Sequence, residues 1–214
     1  MDLFDEQERE AGLQPLAPGA ALLRGHARSR GDALLTAVHD IAAASPFRHL
    51  VTPGGHRMSV ATTSCGTLGW HSDEGGYRYT ARDPHTGHPW PALPELFVAL
   101  ARDAAERAGF HGLVPDTCLI NRYQPGTRLT LHQDRNERDE CAPIVSVSLG
   151  IPATFLFGGL QRSDPVRRLR LVHGDVVVWG GPSRFVFHGV QPLMHAEHPL
   201  TGACRINLTF RRAG

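Results

Sequence analysis

The sequence contains no lysine, so all 22 of its basic residues are arginine. A GC-rich coding sequence suffices to explain that bias. Arginine's planar fork also grips carboxylate and phosphate at two points, so the bias is compatible with anion binding. No charge of one sign dominates: 21 acidic residues leave a formal net charge of +1. That balance argues neither for nor against a polyanionic partner, because binding one needs a local basic face and not a global surplus. Cysteine is scarce and scattered at Cys65, Cys118, Cys141 and Cys204, with no Cys-x-x-Cys pair. This excludes a zinc ribbon and a thioredoxin-type site, and the four are expected to be reduced, buried thiols. No apolar run approaches a membrane span, and the acidic start Met1-Asp2-Leu3-Phe4-Asp5-Glu6 lacks the basic-then-apolar order of a secretory signal. A cytoplasmic location without membrane association follows. There are no internal repeats and no low-complexity tail. With 214 residues and 41% hydrophobic content, the chain is expected to form one domain with a real core.

Along the chain, Met1 to Leu22 mix charge, Gly and Pro and read as an extended arm. Apolar residues at helical spacing predict a helix over Asp32 to Ala44, ended by Pro46. Short strands are predicted over Met58 to Thr63 and Gly76 to Thr80, joined by a Gly-rich loop, Cys65 to Gly75, that carries Trp70. The clustering of Trp70, Tyr77 and Tyr79 suits a lid that stacks a flat ring. Pro94-Glu95 opens a second helix through Ala108, with Gly109 as its stop and Leu96, Phe97, Leu100 and Ala104 as its buried stripe. Beyond Pro115 the pattern turns to strands: Thr117 to Tyr123, Pro143 to Gly150, Ala153 to Phe157, Val166 to Val172, Asp175 to Trp179, Phe185 to His188 and Arg205 to Arg211. Short strands at this spacing predict an antiparallel sandwich or barrel backed by the helices.

The motif His-x-Asp occurs three times, at His71-Ser72-Asp73, His132-Gln133-Asp134 and His173-Gly174-Asp175. In an extended chain residues i and i+2 share a face, so each copy could aim an imidazole and a carboxylate at one point. The first copy runs into Glu74-Gly75-Gly76, a loop composition, and the third straddles a Gly that reads as a tight turn. Only His132 and Asp134 follow a convincing strand, and Ser183 to Gly189 supplies a second strand bearing His188. Taken singly, these are ordinary half-buried histidines and a turn carboxylate. Together they match the two-His, one-carboxylate triad of non-haem Fe(II) oxygenases, which leaves adjacent coordination positions open for co-substrate and oxygen.

The last strand places Arg205, Asn207, Thr209 and Arg211 on one face and Ile206, Leu208 and Phe210 on the other. Guanidinium groups pointing into a barrel need anionic partners. Asn121 and Tyr123 form a matching polar row, and a small dicarboxylate would satisfy both; a solvent-exposed polar face is the alternative.

With these residues in place, the chain resembles the bacterial AlkB family of Fe(II)/2-oxoglutarate dioxygenases over roughly residues 58 to 211. The likeness lies in Asn121-Arg122-Tyr123, His132-Gln133-Asp134, His188 and Arg205-Ile206-Asn207-Leu208-Thr209-Phe210-Arg211, with similar stretches at Ala142 to Gly150 and His173 to Gly181. The resemblance implies an α+β, mainly β, double-stranded β-helix (jelly-roll), with residues 1–115 forming N-terminal extension, helices and nucleotide-recognition lid, and 116–214 the catalytic core. It implies Fe(II), 2-oxoglutarate and O2, with His132, Asp134 and His188 as iron ligands. Arg205 would meet the distal carboxylate of 2-oxoglutarate, and Asn121, Arg122, Tyr123 and Asn207 would complete its site. Arg211 would lie at the metal end in a catalytic role. Trp70, Tyr77, Asn136 and Arg162 would contact substrate. The implied reaction is oxidative dealkylation of bases such as 1-methyladenine and 3-methylcytosine in single- or double-stranded DNA, with RNA as a further partner, by a monomer. The chain departs from its relatives at Asn136, where they place Asp, and at Asp73-Glu74, where a basic residue is usual. A protein or small-molecule hydroxylase with the same centre, or a non-catalytic jelly-roll binding protein, stays open at this point.

Overall fold

In the structure, a computed structural model that describes residues 12–214, two antiparallel sheets face one another. The major sheet is made of β1 (Leu13–Ala17), β2 (Ala20–Leu23), β3 (Ala61–Gly66), β6 (Thr117–Tyr123), β8 (Ile144–Gly150), β11 (Val176–Trp179) and β13 (Arg205–Arg211). Their order is β1-β2-β11-β8-β13-β6-β3. The minor sheet, β10-β9-β12-β7, comprises β7 (Leu129–His132), β9 (Ala153–Phe157), β10 (Arg167–Leu171) and β12 (His188–Val190). A separate hairpin pairs β4 (Gly69–Asp73) with β5 (Gly76–Thr80). This is the jelly-roll expected from the strand pattern.

Strand parity builds two cores. On β8, β11 and β13, one set of alternate residues (Val145, Val147, Leu149, Val176, Val178, Ile206, Leu208, Phe210) packs outward against two helices. These are α1 (Gly31–Ala44), which presents Leu34, Leu35, Val38 and Ile41, and α2 (Glu95–Arg107), which presents Phe97, Leu100, Ala101 and Ala104. Each fully buried Leu, Ile or Phe here contributes about 1.5 to 3 kcal/mol, so the helix layer anchors the outer face of the major sheet. The opposite parity (Ile144, Val177, Trp179) meets Phe155, Phe157, Leu169 and Val190 of the minor sheet. The polar members of that inward row have no such apolar partners and line a cavity instead.

Several expectations need correction. Gly12 to Leu22 form no loose arm: β1 and β2 are a hairpin whose second strand pairs with β11. Met1 to Ala11 lie outside the described residues. The major sheet draws β1, β2 and β3 from before residue 116, so the jelly-roll is not confined to residues 116–214. Trp70 sits on a strand rather than a loop, and so does His71-Ser72-Asp73. Gly69 hid that strand from a pattern reading, yet it is required, because a Cβ there would lie 2.2 Å from the Trp90 ring. The stretch Ser183 to Gly189 is strand only from His188, since the Val186 N–H turns back to the Ser183 carbonyl. Cys65 and Cys118 are buried, whereas Cys141 is exposed and Cys204 half-exposed. Among the described residues, no helix is long and apolar enough to cross a membrane.

Candidate active site

His132 ends β7 and His188 opens β12, and the two are direct cross-strand partners with ring centroids 4.3 Å apart. Asp134 follows two residues after His132, where the chain has left the strand. Its Oδ1 lies 3.8 Å from His132 Nε2 and its Oδ2 3.9 Å from His188 Nε2. The ligand atoms of all three residues lie within 4.8 Å of one another, the only such group of three among the described residues. Both imidazoles are oriented alike. Nδ1 of His132 is 2.9 Å from the Thr130 carbonyl and Nδ1 of His188 is 3.1 Å from the Val186 carbonyl, so each Nδ1–H donates and each Nε2 is left with a lone pair facing Asp134.

Protonation suits the same purpose. Burial pushes the His188 imidazole down to about 4, with His132 adding to the effect, so it is neutral at pH 7. Burial alone would raise the Asp134 carboxyl, but Arg211, His188 and His132 outweigh it and hold it well below the usual carboxylate range. One ionised carboxylate and two imidazoles on one face form the donor set that octahedral Fe(II) takes with positions to spare.

Of the other two motif copies only the first brings its His and Asp together, and neither closes a triad among the described residues. Asp73 lies 3.3 Å from His71 and is taken by Arg78, while Asp175 is taken by Arg24 and by the amides of Gly25 and Val172. His173 stacks on His198 at 4.5 Å.

Inside a cavity of ≈ 710 Å³, the triad faces the polar row of the major sheet. Register places Arg205 opposite Tyr123 and Asn207 opposite Asn121. Arg205 is 1% exposed; its Nη2 donates to Ser148 Oγ at 2.9 Å and its charge lies over the Tyr123 ring at 4.9 Å. Its Nε and Nη1 are buried with no hydrogen-bond partner among the described residues. A buried cation without a carboxylate is costly, so the cavity is built for an anion that this side chain can grip. Asn207 donates to Ser146 Oγ and the Val147 carbonyl and accepts from Thr209, which fixes its amide. Arg211 donates Nε and Nη2 to Asp134 Oδ2 at 3.0 and 2.7 Å.

At the mouth, Trp70 and Tyr77 stack with centroids 5.7 Å apart and planes 17° from parallel. Tyr77 is 47% exposed and Trp70 half-buried, so both keep ring surface open to the cavity. Asn136 is exposed on the same lining. Arg162 lies outside it, over the Phe187 ring, and donates to the Leu131 carbonyl of the strand that carries His132. Arg122 is not brought to the site. As the odd residue between Asn121 and Tyr123 it points to the helix side, where it covers Phe47 at 4.7 Å. Tyr79, read with the lid aromatics, turns its hydroxyl to Glu137 instead, and two further residues, Glu137 and Arg184, were passed over. Glu137 sits in the run Arg135-Asn136-Glu137-Arg138-Asp139-Glu140, which reads as solvated loop, yet it is 7% exposed.

A two-His, one-carboxylate face lining a cavity, with a buried arginine that meets no carboxylate across it, defines an iron oxygenase that takes an acidic co-substrate. A family model described as the 2OG-Fe(II) oxygenase superfamily matches residues 19–211, and the chain belongs to that superfamily, whose enzymes use Fe(II), 2-oxoglutarate and O2. Within it the chain falls among the AlkB dioxygenases. It is 56% identical over 214 residues to the "Alpha-ketoglutarate-dependent dioxygenase AlkB" of Escherichia coli K12, covering 100% of this chain and 98% of that protein. It is 41% identical over 151 residues to "DNA N(6)-methyladenine demethylase ALKBH1D" of Arabidopsis thaliana, covering 56% and 33%. Among solved structures it resembles that of OsALKBH1, with a TM-score of 0.83 and 29% identity over 94% of this chain and 100% of the other.

Proposed function

We propose that this dioxygenase removes alkyl groups oxidatively from bases of DNA, and of RNA as a further substrate, acting as a single-domain monomer in the cytoplasm. The observation that carries the substrate class is the stacked Trp70–Tyr77 pair at the mouth of the cavity that holds the His132–Asp134–His188 face. A flat ring admitted there lies against aromatic surface on one side and near the metal ligands on the other. The names of the relatives point the same way.

His132, Asp134 and His188 would hold Fe(II), and Arg205, with Asn121, Tyr123 and Asn207 around it, would hold 2-oxoglutarate. Together with O2 these supply the oxidising equivalents that convert an N-methyl group into an N-hydroxymethyl group, which falls apart to formaldehyde and the repaired base. The protein's own contribution is placement. A methyl on the pairing edge is reachable only when the base leaves the stack, and lesions such as 1-methyladenine and 3-methylcytosine pair poorly, so extruding them costs less. Trp70 and Tyr77 stack the extruded base, and Asn136 offers its edge an amide that both donates and accepts. Arg162 contacts the phosphates of the strand that carries the base. Arg211 fixes Asp134, so that the metal end does not shift as the base arrives.

The test is succinate and formaldehyde release with methylated and unmethylated oligonucleotides of one sequence. Methyl-dependent formaldehyde matched by succinate is the expected result. Equal succinate from both oligonucleotides, without formaldehyde, would sink the reading and favour a protein or small-molecule substrate for the same iron centre.

A further inference from the structure

In the cavity wall beside the metal-binding face lies a buried ionic cluster centred on Glu137, a residue given no part in holding iron or 2-oxoglutarate above. Glu137 is held from three elements. Its Oε1 accepts from the Tyr79 hydroxyl of β5 at 2.6 Å and lies 3.3 Å from Arg211 Nε of β13, and its Oε2 accepts from Arg184 Nη2 at 3.0 Å. Both arginines also reach Asp134: Arg211 through the carboxylate Oδ2, and Arg184 Nη1 through the backbone carbonyl at 2.9 Å. Asp134, Glu137, Arg184 and Arg211 are all among the buried charged residues. Two carboxylates thus face two guanidinium groups, and the cluster is neutral only while Glu137 is ionised.

We infer that Glu137 is a positioning residue for the metal-binding carboxylate. It shares the donors of Arg211 and balances one of the cluster's two positive charges, leaving the Asp134 carboxylate to balance the other. Without it, a net positive charge would sit beside a site meant for a divalent cation, and Asp134 Oδ2 would be over-bonded by Arg211. Both changes weaken Asp134 as a ligand, and outer partners of metal ligands characteristically alter metal affinity by about 10- to 100-fold. Through Tyr79 the same carboxylate ties the lid hairpin to the metal end.

The probe is Co(II) alone, titrated calorimetrically into metal-free protein without nucleic acid, so the outcome does not depend on the substrate proposal. Glu137→Gln keeps the shape and removes the charge. It is expected to bind Co(II) on the order of tenfold more weakly or worse, at a temperature where circular dichroism shows it folded. Glu137→Asp keeps the charge and is expected to fall between wild type and Glu137→Gln; it carries the test if the Gln variant does not fold. Wild-type Co(II) affinity in a folded Glu137→Gln, or in Glu137→Asp where the Gln variant does not fold, overturns the inference and leaves Glu137 as a counter-ion that only stabilises the fold.

Discussion

Replacing Arg205 by Met separates the two roles its environment implies. The side chain is 1% exposed, it donates to the neutral Ser148 hydroxyl and lies against the Tyr123 ring, and its Nε and Nη1 have no hydrogen-bond partner among the described residues. Burial accordingly pulls its pKa below the ordinary arginine value. In the metal-free, ligand-free protein this is an uncompensated charge, and buried ionic groups exchanged for apolar ones of similar volume are often neutral or stabilising by about 1 to 4 kcal/mol. Arg205→Met is therefore expected to unfold in urea at the same or a higher midpoint than wild type. With 2-oxoglutarate the sign reverses, because losing one partner of a desolvated charge pair costs about 2 to 5 kcal/mol. At about 1.4 kcal/mol per factor of ten, affinity should fall by roughly 30-fold to several thousand-fold. Calorimetric titration of 2-oxoglutarate into the Co(II)-loaded variant measures this, beside urea unfolding of the metal-free form. A variant that is plainly less stable, yet binds 2-oxoglutarate within a few-fold of wild type, would show that Arg205 is a structural residue and that the anion site lies elsewhere.

Three further outcomes follow from the same geometry. Trp70→Ala should weaken use of a methylated oligonucleotide by about 1 to 3 kcal/mol, the value of one base on an aromatic ring, while uncoupled 2-oxoglutarate consumption persists; equal loss of both activities would make Trp70 a core residue. Asp73 is held chiefly by Arg78, with His71 3.3 Å away, so its charge is already matched within the hairpin. Asp73→Asn should free Arg78 and tighten oligonucleotide binding at low salt, with the gain vanishing at high salt as screening sets in, and a salt-independent change would contradict this. The imidazole of His188 titrates near 4 when folded against 6.5 ordinarily, because of burial and then of His132. The unfolded chain binds the extra proton first, so metal-free stability should be constant above about pH 6.5 and fall by roughly 3 kcal/mol as pH drops through 4. Thermal unfolding of wild type and His188→Gln across that range should show a shallower slope in the variant, and identical slopes would refute it.

Period-two alternation made the inner row of β13 legible without coordinates: Arg205, Asn207, Thr209 and Arg211 could only face together, and they do face the cavity. The choice of His132 and Asp134 over two competing copies rested on a strand that the first copy also has; what separates them is His188, the cross-strand partner of His132 that completes the group of three. The helices α1 and α2 carried their stripes openly, as Leu34, Val38 and Ile41 or Phe97, Leu100 and Ala104 show. Tertiary structure alone decided the rest. Arg122 belongs to the site's signature by position, but sheet parity sends it to Phe47. The lid strand β4 exists because the Trp90 ring fills the space under Gly69 and its indole N–H bonds Thr80, which no local pattern reveals. Glu137 gathers Tyr79, Arg184 and Arg211 from three distant parts of the chain. A loop carboxylate has no periodicity to mark it as buried, and whether its charge is solvated or matched depends only on what folding brings within about 3 Å of it.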